Sequence, residues 1–239
     1  MLFEGSPLGV NTNTELRMMK ALQNAGAEIH IINSDMHARY SYVHAKYAVI
    51  DGSTTVVTSE NWTEGNIGTS GNRGWGAVIE SEEFAGYYAK VFENDFGTMY
   101  GDVVTLDEAF PTIEPLELEY TEPGEYVTVS YTAAVSPVFS PDNSYDSMRA
   151  FISSAEERLY VEQMDLASDL ASSTGDTPVA WMQQRALQGT DTRFILDAST
   201  SDGGTNRQTV ELLNVTTGID SVAVDGRDGF SLIHNKGVI

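Results

Sequence analysis

The sequence predicts an α/β fold built from a duplicated unit. Three observations carry that reading. Short β-rich runs alternate with segments of helical apolar spacing, two stretches repeat that order, and 41% of the 239 residues are hydrophobic. Alternation of this kind packs helices against sheets, and an apolar share of that size can fill a core in a chain this long.

Asn13 or Thr14 can cap a first helix, in which Leu16, Met19 and Leu22 share a face before Gly26 stops it, and a strand follows over Glu28 to Ile32. Val43 to Ile50 reads as a strand ending at the turn pair Asp51-Gly52. A strand over Thr55 to Ser59, a loop rich in Gly and Asn from Gly65 to Gly74, a strand over Gly76 to Glu80 and a helix over Glu82 to Phe96 close a first half, residues 1–99. Residues 100–135 are acidic, contain Pro111, Pro115 and Pro123, and hold one alternating run, Glu125 to Tyr131; they read as a connector, with a hairpin at that run.

The second half, 136–239, opens with Ser144 capping a helix whose Met148, Phe151, Ile152 and Ala155 fall at i, i+3, i+4 and i+7. Then come a strand over Leu159 to Met164, a helix over Pro178 to Leu187 ended by Gly189, a strand over Thr192 to Asp197, a helix over Arg207 to Asn214, and strands at Ser221 to Val224 and Phe230 to Ile239. Leu2-Phe3-Glu4, helix, Ile29 to Ile32 and Tyr42 to Lys46 align with Phe194 to Asp197, helix, Ser221 to Val224 and Leu232 to Lys236. In that register Met1 and Ile239 both fall inside a repeat, so the chain reads as a fragment truncated in both repeats.

The formal charge is −22, from 35 acidic and 13 basic residues, and only Lys20, Lys46, Lys90 and Lys236 are lysines. This reads as the surface of a halophile, so a high-salt setting is expected, either the haloarchaeal cytoplasm or outside the cell. In dilute buffer such a charge repels nucleic acid and anionic membranes. At 1 M salt the Debye length is about 3 Å, so the net charge does not exclude an anionic substrate. With no Cys, disulfides, thiolate nucleophiles and Cys-based metal sites are excluded. No run approaches the roughly 18 apolar residues of a transmembrane helix, and Met1 to Gly5 is not a signal peptide. A soluble chain is expected.

Two of the four histidines are followed at +2 by a lysine: His44/Lys46 and His234/Lys236. On a strand, residues two apart project to one face, so each pair sets an imidazole beside an ammonium group. With four lysines in the chain, two such pairs arise by chance on the order of 1 time in 600, and both occupy equivalent positions of the repeat.

His44-Ala45-Lys46-Tyr47-Ala48-Val49-Ile50-Asp51 fits the pattern HxKxxxxD. Ser59 and Asn61 fit a downstream GSxN element in which Thr58 replaces the Gly. These residues resemble the signature of the phospholipase D superfamily, of a haloarchaeal type. The second copy, His234 to Ile239, stops before its Asp, and Val161 to Met164 resembles the strand that enters the site in this family's second repeat.

The resemblance implies a phospholipase D-like duplicated α-β-α sandwich, its two mixed-sheet repeats related by a pseudo-twofold axis. It also implies a phosphodiesterase that needs no metal or other cofactor. His44 attacks phosphorus to give a phosphohistidine, and His234 protonates the leaving alkoxide and then activates water. Lys46 and Lys236 hold the phosphoryl oxygens, with Asn61, Ser59 and Gln163 binding substrate. Asp51 completes the motif, although Asp-Gly after a strand is equally a turn. The acid that orients a catalytic histidine in this family is missing from Asn72-Arg73-Gly74-Trp75-Gly76; Glu60, Glu80 and Glu162 are the alternatives, each otherwise a solvated charge.

The resemblance implies a phospholipid headgroup or nucleic acid as substrate, with nuclease-like or general phosphodiesterase activity favoured slightly over a dedicated lipase, and a homodimer is compatible with the reading. A lipid enzyme needs an apolar lip, which is not evident in the sequence. A nuclease needs a row of cations, for which Arg39, Arg73, Arg207 and Arg227 are candidates. Trp62 and Trp75 flank the motif loop as packing residues or cleft walls. His30 and His37 have no clustered partners for a metal. The competing reading is an inert or incomplete domain that binds a phosphate-containing ligand or a protein partner.

Overall fold

The computed structural model describes residues 1–5, 12–32, 39–67, 71–117, 119, 129–166, 175–199, 203–226 and 230–239. The chain divides into two compact units, one of residues 1–45, 49–54 and 80–135, the other of 46–48, 55–79 and 136–239. The described residues form mixed α/β layers with three sheets, compatible with the expected fold class.

In the first unit β1 (Leu2–Glu4) and β2 (His30–Ile32) run parallel, joined by α1 (Thr12–Asn24), and Gly26 at φ 105° supplies the left-handed residue that ends the helix. α1 and β2 bury Met19, Ile29 and Ile31 in one cluster with Leu106. Part of the segment read as a connector is built into this unit. After α2 (Glu64–Ile67), treated below with the second unit, and α3 (Glu82–Phe96), β6 (Val103–Thr105) pairs antiparallel with β2, and α4 (Leu106–Ala109) starts at a capping box between Thr105 and Glu108. The alternating run Glu125 to Tyr131 lies largely outside the described residues.

β3 (Tyr47–Ile50), β4 (Thr54–Thr58) and β5 (Gly76–Glu80) form a separate sheet. β3 is shorter than the sequence suggests: His44 and Lys46 precede it in non-strand backbone. The strand face argument therefore does not describe this first pair, although the Lys46 carbonyl still accepts from Thr58 N at 3.1 Å. Asp51 and Gly52 both have positive φ, 51° and 67°, and Ser53 N donates to Ile50 O at 3.1 Å. That is the geometry of a two-residue hairpin turn whose twist suits the strands it joins.

In the second unit β7 (Arg158–Gln163), β8 (Asp191–Asp197) and β9 (Ile219–Val224) are parallel, and β10 (Lys236–Val238) adds antiparallel to β7, in the order β10-β7-β8-β9. α5 (Ser144–Ser153), α6 (Pro178–Leu187) and α7 (Gly203–Asn214) contribute Ile152, Val179, Trp181, Met182 and Leu213 to a core with Leu159, Val161 and Phe194. Phe230 to Ile239, expected as one strand, is strand only at its end; Ile233 makes a single parallel bridge with Arg73.

Two buried polar residues fasten the strand ends near His234. The Asp197 carboxylate, fully buried, accepts from Ile233 N and Ser199 N, each at 3.0 Å. Asn206 donates to the carbonyls of Met164 (2.7 Å) and Asp197 (2.6 Å) and accepts from Leu166 N at 3.1 Å. Deleting this amide leaves buried backbone groups unpaired, each costing about 1–3 kcal/mol. Asn206→Ala is expected to lower the unfolding free energy by an amount of that order in urea denaturation, and an unchanged midpoint would show that water replaces the side chain.

Candidate active site

The second unit assembles its cluster by threading residues 71–75 alongside 231–235. Ser231 N donates to Gly71 O, Arg73 N to Leu232 O and His234 N to Arg73 O, at 3.2, 2.9 and 2.9 Å. This seats Gly74 and Trp75 beside His234. Trp75 is also bound to the end of β4: Ser59 N donates to Trp75 O (3.0 Å), Trp75 N donates to Ser59 Oγ (3.1 Å) and Thr58 Oγ1 donates to Trp75 O (3.0 Å). From the other direction, antiparallel pairing sets Lys236 opposite Gln163, so both side chains lie on one face of the sheet.

His234 is buried, and its Nδ1 lies 3.5 Å from Oε2 of the equally buried Glu60. This carboxylate occupies the space where Gly74 has no side chain: a Cβ on Gly74 would stand 1.6 Å from Glu60 Oε1 and 2.4 Å from its Cγ. Lys236 Nζ donates to the His234 carbonyl at 2.8 Å, and the indole of Trp75 donates to the Lys236 carbonyl at 3.4 Å.

Charge and burial act together on these groups. Burial first, then the Lys236 charge, pulls Lys46 down to about 8, against the opposing pull of Glu60. Burial lowers Lys236 as well, opposed by Glu60 and Asp165. His234 is lowered by burial and by the charges of Lys236 and Lys46, and raised by the Ser59 backbone and Asp165. Burial raises Glu60, opposed by Lys236, the Ser59 hydroxyl and Lys46. Each group is pushed toward its neutral form because its charged form loses water.

Of the residues singled out from sequence, Lys46, Ser59, Asn61, Gln163, His234 and Lys236 belong to this unit. Ser59 spends its hydroxyl on Trp75, and Asn61 follows Glu60 half-buried. His44 and Asp51 belong to the first unit and are exposed, Asp51 as a turn residue.

Among the three candidate orienting acids, Glu162 faces Arg73 at 3.8 Å and Glu80 is exposed at the end of β5. Glu60 alone of the three is buried against His234. The signal for it was Gly74, read in the sequence only as the end of a Gly- and Asn-rich loop.

The arginines expected to line a groove have acidic partners. Arg39 is fastened to the buried Asp102 at 2.8 Å, and Arg207 pairs with Asp225 at 2.6 Å; Arg227 lies outside the described residues. His30 stacks on Phe96 at 3.8 Å, and His37 lies outside the described residues. Among the described residues no group of three or more His, Asp or Glu could hold a metal ion, and no helix is long and apolar enough to cross a membrane.

The second unit is thus an α/β layer carrying a buried imidazole, two lysines and a carboxylate. Residues 6–96, less than half of the chain, match the family model described as cardiolipin synthase, PLD-like domain. That segment contains His44, Lys46, Asp51, Ser59, Glu60 and Asn61. The match supports a place in the phospholipase D superfamily, whose PLD-like domains act on phosphodiesters. No curated protein matches the chain.

If the Gly74 notch seats Glu60 against His234, imidazole ¹⁵N shifts are expected to report the Nδ1–H tautomer of His234, donating to the carboxylate. Both Gly74→Ala and Glu60→Ala are expected to abolish that preference with the fold intact. An unchanged tautomer in Gly74→Ala would show that the notch is not needed.

Proposed function

We propose that the protein is a metal-independent phosphodiesterase of the phospholipase D type working through a phosphohistidine. The observation that carries this reading is the convergence of the half-buried Lys46 and Lys236 on the buried His234 and Glu60, whose Oε2 lies 3.5 Å from the imidazole Nδ1. A phosphodiester anion needs cations on its nonbridging oxygens, a nucleophile, and an acid for the leaving alkoxide. Two lysines meet the first need. In this scheme Nε2 of His234 attacks phosphorus while Nδ1 faces Glu60 at 3.5 Å, and burial with the two lysine charges favours the neutral ring that a nucleophile or base requires.

We therefore assign His234 the attack on phosphorus and His44 the acid step, the reverse of the order the resemblance implies. The motif itself supplies His44, two residues before Lys46 in the chain. Attack forms the Nε2–P bond and breaks the P–O bond to the alkoxide, which takes its proton from His44. His44 then removes a proton from water, which displaces His234 from phosphorus. Asn61 and Gln163 are substrate contacts in this scheme, and Glu60 is a positioning residue. The reading of the chain as two repeats belongs to the same proposal.

Hydrolysis of bis-p-nitrophenyl phosphate by the full chain in molar salt with EDTA tests it. His44→Ala and His234→Ala are each expected to lose about 10²–10⁴-fold in kcat; equal rates in all three proteins would leave the binding-domain reading standing.

A second expectation follows from Lys46. Its ammonium is present below its pKa of about 8 and lost above it, and kcat/KM reports the free enzyme. The alkaline limb of kcat/KM should therefore fall near pH 8 through a rising KM, and Lys46→Arg, which cannot be neutralised in this range, should move that limb upward. A limb unmoved by Lys46→Arg would assign it to another group.

A further inference from the structure

Glu4 and Asp197 stand at corresponding points of two similar strand pairs. Each is the last residue of the first strand in a parallel pair, β1 with β2 and β8 with β9, and the two strands are joined by α1 and α7 respectively. The next residue closes each ladder in the same way: Gly5 N donates to Ile32 O and Ala198 N donates to Val224 O, both at 2.9 Å. Both carboxylates then take an amide from far along the chain. Glu4 Oε2 accepts from Val43 N at 2.7 Å, 39 residues away, and Asp197 Oδ1 accepts from Ile233 N at 3.0 Å, 36 residues away. Val43 and Ile233 immediately precede His44 and His234.

The backbone explains why an acid is needed there. Val43 lies in non-strand backbone, and the bridge at Ile233 is made through the Leu232 carbonyl and the His234 amide, so the amide of residue 233 points elsewhere. An amide drawn out of water without a ladder partner requires another acceptor, and an ionised carboxylate is a strong one.

We propose that Glu4 is the positioning residue for His44, as Asp197 is for His234, each fixing the backbone from which the imidazole of its His-x-Lys pair projects. The inference rests on the phosphodiesterase reading for the work the two histidines do. Glu60 faces the ring of His234, whereas Glu4 and Asp197 hold main chain and so set where each ring starts. Proton transfer to a leaving oxygen is sensitive to that placement, since a shift of about 1 Å can cost about 10²-fold. The two acids differ in burial. Asp197 is fully buried and also takes Ser199 N, while Glu4 is half-buried and can be altered without opening the core.

The test uses Glu4→Ala and Glu4→Gln in the full chain in molar KCl, each alone and with His44→Ala. The Gln side-chain oxygen can still accept from Val43 N. Amide hydrogen exchange at Val43 and the ring NMR signals of His44 and His234 are read alongside hydrolysis of bis-p-nitrophenyl phosphate. Glu4→Ala is expected to speed Val43 exchange at least tenfold and to move the His44 ring signals while those of His234 stay in place. It should also lower kcat by about 10–10²-fold with KM little changed. Glu4→Gln should restore most of the exchange protection and most of the rate. In the His44→Ala protein, Glu4→Ala should cost nothing further, because the group it positions is gone.

His44 signals unmoved by Glu4→Ala, or the same loss of rate from Glu4→Ala with and without His44, overturns the proposal. Exchange and ring signals need no turnover, so the two readings fail separately. A wild-type protein that leaves the diester intact, with His44 signals still governed by Glu4, would sink the enzyme and keep the positioning contact. Turnover that depends on His44, with His44 signals indifferent to Glu4, would do the reverse.

Discussion

The notch at Gly74 is the constraint on which the candidate site depends. An imidazole and two ammonium groups brought together out of water repel one another and lose hydration, and such a cluster persists only where an anion compensates it. Glu60 is that anion, and it reaches its place only because residue 74 has no Cβ. The compensation is partial. Lys46, Lys236 and His234 remain displaced toward neutrality and Glu60 is pushed the same way, so the free site holds an unmet demand for negative charge. In the proposed reaction a phosphodiester anion would answer that demand.

Such a cluster can act only if its members are held, and the fold holds them through backbone rather than through long side chains. Residue 234 is bracketed: Asp197 grips the amide before it, Arg73 O takes its own amide, and two residues later β10 enters register with β7. Asn206 ties Met164 and Asp197 together, so the ends of β7 and β8 move as one piece. These anchors are short polar side chains buried at strand ends, where they satisfy backbone groups that no ladder reaches.

Sequence pattern exposed the periodic part of this protein. α3, with its Ser81 cap and acidic first turn, and β5 begin and end where spacing places them, because caps, turn residues and alternation are local properties. The strand over 43–50 was overextended: Val43 and the Tyr47 to Ile50 run were joined across His44-Ala45-Lys46, but ladder pairing starts only at Lys46 O, and pairing is tertiary. Glu60 was visible and undervalued. A Glu after a strand is ordinarily solvated, and the reason this one is not lies 14 residues further on at Gly74 and 174 further on at His234. The exposed apolar residues around Trp75 were not legible as a group for a related cause. Val57, Trp62, Ile67, Trp75 and Val78 share no period, and they meet only after Ser59 binds Trp75.

The same geometry bears on which histidine starts neutral. A bound phosphodiester brings negative charge to Lys46 and Lys236 and so removes part of the repulsion that lowers His234, while leaving it as buried as before. Burial is the first cause of that lowering, so in the proposed complex His234 would keep a bias toward the neutral ring, with its Nδ1 3.5 Å from Glu60 Oε2. In the proposed scheme, once Nε2 bore phosphorus the ring would be cationic and Glu60, 3.5 Å away, would meet a full positive charge. The carboxylate would then stabilise the covalent intermediate more than the free enzyme, the direction in which a positioning residue lowers the barrier rather than only tightening binding.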